Sequence, residues 1–163
     1  MQACFVNSGI FVRGAITIGH HFASENIIFS QALVDGYKVE STEAVFPRIV
    51  ISKKVIDMLK RTTFSKANRD ILNSMLKYDD DGLVFLDYLS YMSTEGDDPE
   101  NDFELGMDKH KEYIEAAIRD NDLKKVKSKY LWVAEYHKKM IKNLCPRRTD
   151  LLISVPNFSR NVI

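Results

Sequence analysis

Between residues 11 and 52 the apolar pattern changes period twice, and no other feature of the chain constrains the fold as much. Residues 11–19 alternate, with Val12, Gly14, Ile16 and Ile18 on one face and Arg13, Ala15 and Thr17 on the other, which reads as a strand. A polar loop, 20–26, follows. Apolar residues then return with helical spacing at Phe29, Ala32, Leu33, Gly36 and Val39, and Ser30 is placed to serve as the N-cap. Phe46-Pro47 stops the approach from the helix, because the residue before a proline is pushed out of the helical region. Residues 48–52, Arg-Ile-Val-Ile-Ser, form a short β-branched run of the kind buried in a sheet. Strand, helix and strand in this order predict a β-α-β unit.

Downstream, residues 53–60 and 66–76 place apolar side chains three and four apart (Val55, Ile56, Leu59; Ile71, Leu72, Met75), so two helices broken near Thr62-Thr63 are expected. Residues 76–89 carry Asp81-Gly82 between apolar arms, a local signal for two antiparallel strands. Residues 93–102 contain Gly96, Pro99 and five acids, and read as a solvated linker. Residues 105–118 and 123–144 then predict an antiparallel helical pair, the second with Val126, Tyr130, Val133, His137 and Met140 near a 3.5-residue repeat. Residues 151–156 are expected to add a strand to an edge. The resulting division is an α+β portion over 1–92, the acidic linker over 93–102, and a helical extension with tail over 103–163.

With 163 residues, 45% of them hydrophobic, and no apolar run near the ~20 residues a bilayer crossing needs, the chain is expected to be globular and not to span a membrane. The 23 basic residues are balanced by 23 acidic ones, which counts against a surface built for a phosphate backbone and hence against a nucleic-acid partner. The first residues have neither a basic start nor a long apolar stretch, so no secretory signal is expected and the cytoplasm is the default location. Cys4 and Cys145 stand near opposite ends without a second cysteine at redox or metal spacing, and read as free thiols.

Asp79-Asp80-Asp81-Gly82 invites a calcium-loop reading, but putting Gly82 at loop position six puts Lys77 and Tyr88 where acidic ligands are required. A hairpin turn explains the same residues. His20 and His21 are neighbours on extended backbone and point apart, so they do not share a metal. His110 and His137 lack the partners of a zinc site, and His137 falls on the apolar side of its helix, where a hydrogen-bonded packing role is expected. The lysines between 124 and 142 read as a solvated helix face, without an interleaved aromatic platform for bases.

The ordered segments Arg13-Gly-Ala-Ile-Thr-Ile-Gly19, the helix from Ser30 to Glu40, and Arg48-Ile-Val-Ile-Ser52 resemble the second half of a class III nucleotidyl cyclase catalytic domain. Within them, Ala32, Leu33, Tyr37 and Glu40 are similar to the bacterial cyclase-like proteins that include the pyrimidine cyclases of antiphage signalling. So are Phe85-Leu-Asp-Tyr-Leu89 after the hairpin, and Lys129-Tyr-Leu-Trp132 followed by Tyr136-His137. The resemblance implies an α+β, partial ferredoxin-like sheet of cyclase type, conversion of a nucleoside triphosphate into a 3′,5′-cyclic nucleotide, Mg²⁺ or Mn²⁺ as cofactor, and a site formed between two domains. It also implies what is missing. The family's two metal-binding aspartates lie on strands that precede the Arg-x-Gly strand, and this chain contains neither, so no metal site is expected in it alone.

By the same resemblance, Val34 and Lys38 occupy the family's transition-state Asn and Arg positions, and Ser30 that of the glycine before the helix. Ile27 takes the place of a purine-reading acid, with Asn26 beside it. The implied site is therefore Lys38 as the catalytic cation, a point charge without the fork of arginine, with Asn26, Ser30 and Tyr37 facing the nucleotide. For Tyr37 the competing reading is ordinary helix core. The expected function is the C-terminal portion of a cyclase-like protein, inactive by itself, with a homodimer or a second chain covering the sheet edge that the absent strands leave open. The alternative is a non-catalytic module that binds a nucleotide or a protein.

Overall fold

The computed structural model describes residues 2–94 and 96–155, and the chain is α+β. In order the elements are α1 (Gln2–Val6), β1 (Gly14–Ile16), β2 (His21–Ala23), β3 (Ile28–Ser30), α2 (Gln31–Thr42), β4 (Ile49–Ile51), α3 (Lys53–Arg61), α4 (Lys66–Met75), β5 (Leu76–Tyr78), β6 (Val84–Leu86), α5 (Tyr88–Met92), α6 (Pro99–Asp120) and α7 (Lys124–Leu144). A 3-10 turn, Thr149–Leu151, follows. The described residues form two compact units: one is Val12–Asp87, and the other combines those up to Phe11 with those from Tyr88 onward.

In the Val12–Asp87 unit a four-stranded sheet has the order β1-β4-β6-β5. β1 runs parallel to β4, with Ala15 opposite Val50, and α2 connects them, as the two changes of period predict. β6 lies antiparallel to both β4 and β5. Val50 and Ile51 are buried because β4 has a strand on each side, whereas β1 and β5 are edges. Ile51, Val55 and Val84 form the core under α3, with Ile56, Leu59, Leu76 and Leu86 packed on it. The β5–β6 hairpin closes through Gly82, whose φ of +81° suits glycine and whose N–H donates to the Asp79 carbonyl at 2.9 Å.

In the other unit α6 and α7, separated only by residues 121–123, pack side by side. Phe103, Met107 and Ile114 of α6 and Trp132, Val133, Met140 and Ile141 of α7 are buried, together with Leu89 and Leu151. α6 begins earlier than the linker reading allows. Asp98 accepts from the Asn101 N–H, Pro99 sits in the first turn where no donor is needed, and Glu100 and Asp102 face the positive end of the helix dipole. Four residues expected to be linker therefore start the helix.

Three other expectations change. The strand expected over 11–19 shortens to Gly14–Ile16, since it pairs on one side only. The loop expected over 20–26 contains β2, which pairs with β3 so that Phe22 faces Phe29. Phe29 thus lies on an extended ribbon instead of the helix face, because the Ser30 cap starts α2 one residue later. The hairpin arm expected to reach 89 ends at Leu86, and α5 follows with Tyr88, Leu89 and Met92 buried. Residues 152–155 form no strand, and Pro156 of that expected strand lies outside the described residues.

Candidate functional site

The motif residues that carry the resemblance prove to be the ones that hold β1, α2 and β4 together. Arg13 at the start of β1 pairs with Glu40 near the end of α2, Nε to Oε1 at 2.6 Å. Ser52, just after β4, donates from Oγ to Thr17 Oγ1 at 3.0 Å, and the same oxygen caps α3 by accepting from the Val55 N–H. Gly19 brings the chain against the first turn of α2: a Cβ there would stand 3.0 Å from the Ala32 nitrogen. Gly36, in mid-helix where glycine costs about 1 kcal/mol against alanine, turns toward Thr17 and lets α2 lie close to β1.

An open groove runs between β1 and α2, lined by Ala15, Ile16, Thr17, Leu33, Tyr37 and Glu40, with Ala32 and Gly36 at its base. Of the four residues expected at a nucleotide site, Tyr37 lines it. Its ring is 72% exposed, so the helix-core reading of Tyr37 fails. Asn26 sits in the turn between β2 and β3, away from the groove lining. Ser30 is buried, and its Oγ accepts from the Leu33 N–H at 3.2 Å, so the hydroxyl serves as the α2 cap. Lys38 lies exposed on α2 next in sequence to Tyr37 but does not line the groove.

Charge near Lys38 is set by Asp35. The Lys54 ammonium hydrogen-bonded to Asp35, followed by the Gln31 amide at 2.8 Å, holds that carboxyl below its ordinary range. Within the groove the one carboxylate, Glu40, is already paired with Arg13. The lining thus offers a phenol ring and apolar walls for a flat ring, and no cation for a triphosphate.

The divalent ions that the resemblance implies find no donor set here: among the described residues no group of three His, Cys, Asp or Glu side chains is placed to hold a metal. The Asp79–Asp81 run has another role. The fully buried Arg48 guanidinium pairs with Asp79 and Asp81, and lies against the rings of Phe46 and Phe85 at 5.4 and 5.8 Å from their centroids. Sequence reasoning missed this cluster, since an arginine opening an apolar strand does not reveal where its side chain goes.

No family model, curated protein or solved structure matches the chain. Among the described residues no helix is long and apolar enough to cross a membrane. Both cysteines are free.

Proposed function

We propose that this chain is the C-terminal portion of a nucleotidyl cyclase-like protein acting in the cytoplasm, unable to form a cyclic nucleotide until a partner supplies the carboxylates that hold the metal. The observation that carries this reading is the parallel β1–α2–β4 unit with β1 at an unpaired edge of its sheet, which is where the resemblance leaves the family's preceding strands out. Cyclisation needs the 3′ oxygen activated and the triphosphate neutralised by two divalent ions, and the described residues offer no such donor set. The role left to this chain is to present Tyr37 to the base, with Lys38, next in sequence on α2 but outside the groove lining, as the cation for phosphates that extend beyond the groove.

A second copy of this chain is the partner for its exposed apolar surface, while the metal-holding carboxylates, which the described residues of a copy do not offer either, come from a different chain. Phe22, Ile27, Ile28, Phe29, Leu33 and Tyr37 are each more than half exposed. They lie on the two faces of the β2–β3 ribbon, in its turn and on α2. Large apolar side chains gathered in one stretch mark an interaction site, and zero formal net charge sets no repulsion between copies. The same surface favours the second reading, a non-catalytic protein-binding module.

Incubation with ATP, GTP, CTP and UTP in Mn²⁺, followed by mass spectrometry, is expected to yield no 3′,5′-cyclic product. A product lost on Lys38→Ala overturns the claim of incompleteness. Triphosphate binding weakened by Tyr37→Ala supports the cyclase-like reading, whereas self-association without triphosphate binding supports the binding module. Equilibrium sedimentation showing a monomer at tens of micromolar removes the second copy.

A further inference from the structure

We propose that the helical unit contains an acid-sensitive latch: a buried hydrogen-bonded row, Tyr88–His110–His137–Leu151, holds the segment after α7 in place while both imidazoles are neutral, and proton uptake releases it. This inference is independent of any nucleotide chemistry. It rests on the direction that each hydrogen bond in the row must have.

His110 of α6 and His137 of α7 are both fully buried, with stacked rings 5.0 Å apart. His137 Nε2 lies 2.9 Å from the Leu151 carbonyl, which can only accept, so that nitrogen carries a proton. In the neutral ring His137 Nδ1 is then bare. His110 Nδ1, 2.8 Å away, must donate to it. That leaves His110 Nε2 bare, and the Tyr88 hydroxyl donates to it at 2.9 Å. Every proton in the neutral row is thus assigned by geometry, and Leu151 is anchored at its end.

Adding one proton turns the Tyr88 end of the row around: His110 Nε2 then donates to the Tyr88 oxygen, one hydrogen still lies between the two Nδ1 atoms, and a positive charge sits in the interior. A second proton places an N–H on each Nδ1, and two donors cannot face each other at 2.8 Å. The surroundings oppose even the first. From α5 the facing titratable group is Tyr88, and from α7 it is Tyr136, whose ring packs 5.4 Å from that of Tyr88. From the amino-terminal segment the neighbour is the uncharged Phe11 ring, 5.4 Å from His110, with Tyr130 of α7 behind it. From α6 it is Lys111, a like charge to an imidazolium, whose Nζ donates to the Asp150 carbonyl at 2.6 Å. The Asp150 carboxylate on the 3-10 turn is engaged by Arg148, Nε to Oδ1 at 3.0 Å.

Burial lowers the basicity of both rings, His110 well below its ordinary value with the charge of His137 adding to the effect; for His137 the Leu151 carbonyl works the other way and Lys111 lowers it further, leaving a net lowering. The sign of the effect follows. The unfolded chain takes up protons near pH 6.5 while the folded row does not, so the latch is fully stabilising above that pH and weakens as pH falls toward the lowered folded values.

The test compares the full-length chain with H110Q/H137Q. Each glutamine can accept through its oxygen and donate through its amide, reproducing the neutral row without a titrating group. Amide exchange at Leu151 and Leu152, corrected for its intrinsic pH dependence, is read at pH 7 and pH 5. In the native chain the opening equilibrium is expected to rise about tenfold or more between these values, as one unit of lowered pKa gives tenfold; in the double variant it should change less than about twofold. Equal responses in the two proteins overturn the latch. If the variant does not fold, imidazole ¹⁵N shifts of the native chain decide: a proton on His110 Nδ1 and His137 Nε2 at pH 7 supports the row, and any other assignment, or titration of both rings at or above pH 6.5, overturns it.

Discussion

The Val12–Asp87 unit and the helical unit dispose of their polar and apolar groups in opposite ways. The helical unit places Met107, Ile114, Trp132 and Ile141 inside, and even its interior histidines form a row in which each donor meets an acceptor. The Val12–Asp87 unit buries a charged arginine at its hairpin and turns phenylalanines and isoleucines outward around β2, β3 and α2. An isolated two-stranded ribbon is marginal in water, and β2–β3 is exposed on both faces. Both units leave large apolar side chains in solvent, Leu105 and Leu123 among them in the helical unit, but in the Val12–Asp87 unit Phe22, Ile27, Ile28 and Phe29 follow one another along a single ribbon.

Removing the charge inside the sheet unit should have the largest effect. Arg48→Ala removes the buried cation paired with Asp79 and Asp81 and should cost about 3–5 kcal/mol in urea unfolding. A loss below about 1 kcal/mol would mean that the hairpin does not depend on this cluster, and that the two units are less different than their interiors suggest. In the helical unit, Met107→Ala should cost about 2–5 kcal/mol by the same measurement, the ordinary result for a fully buried side chain.

Smaller effects sharpen the contrast. Ser30→Ala removes the α2 cap and should cost about 1 kcal/mol, seen as a lower unfolding midpoint with an unchanged slope. Phe29→Ser, at a side chain 78% exposed, should leave the stability of the dilute chain within about 0.5 kcal/mol while abolishing self-association in sedimentation. A large loss of stability in the dilute monomer would show that Phe29 already packs within the chain, and the comparison between the units would fall.

Several elements were legible because local chemistry decides them. The Ser30 cap with apolar residues at helical spacing located α2, the β-branched run located β4, and Asp81-Gly82 located the hairpin. The β2–β3 ribbon was hidden, since His-Phe-Ala against Ile-Phe-Ser has no alternation and pairs only through backbone. Of the candidate site, Tyr37 lines the groove, while Ser30 went to a cap, Asn26 to a turn and Lys38 outside the groove lining. Glycine at position 36, inside a helix, was the available signal for the groove, because a missing side chain there permits close approach to β1.

By itself the sequence determined α2, β4, the pair α6 and α7, and the closing turn of the hairpin, because caps, glycines and apolar period act over a few residues. It also excluded a long apolar span and a strong net charge. Only the tertiary structure decided that Arg48 answers Asp79 and Asp81, that Arg13 answers Glu40, and that two histidines 27 positions apart share one proton between their Nδ1 atoms. Those pairings depend on where distant segments meet, and for the buried Arg48 and the two histidines the cost of leaving a polar group unpaired away from water makes the pairing obligatory, which no local pattern of residues encodes.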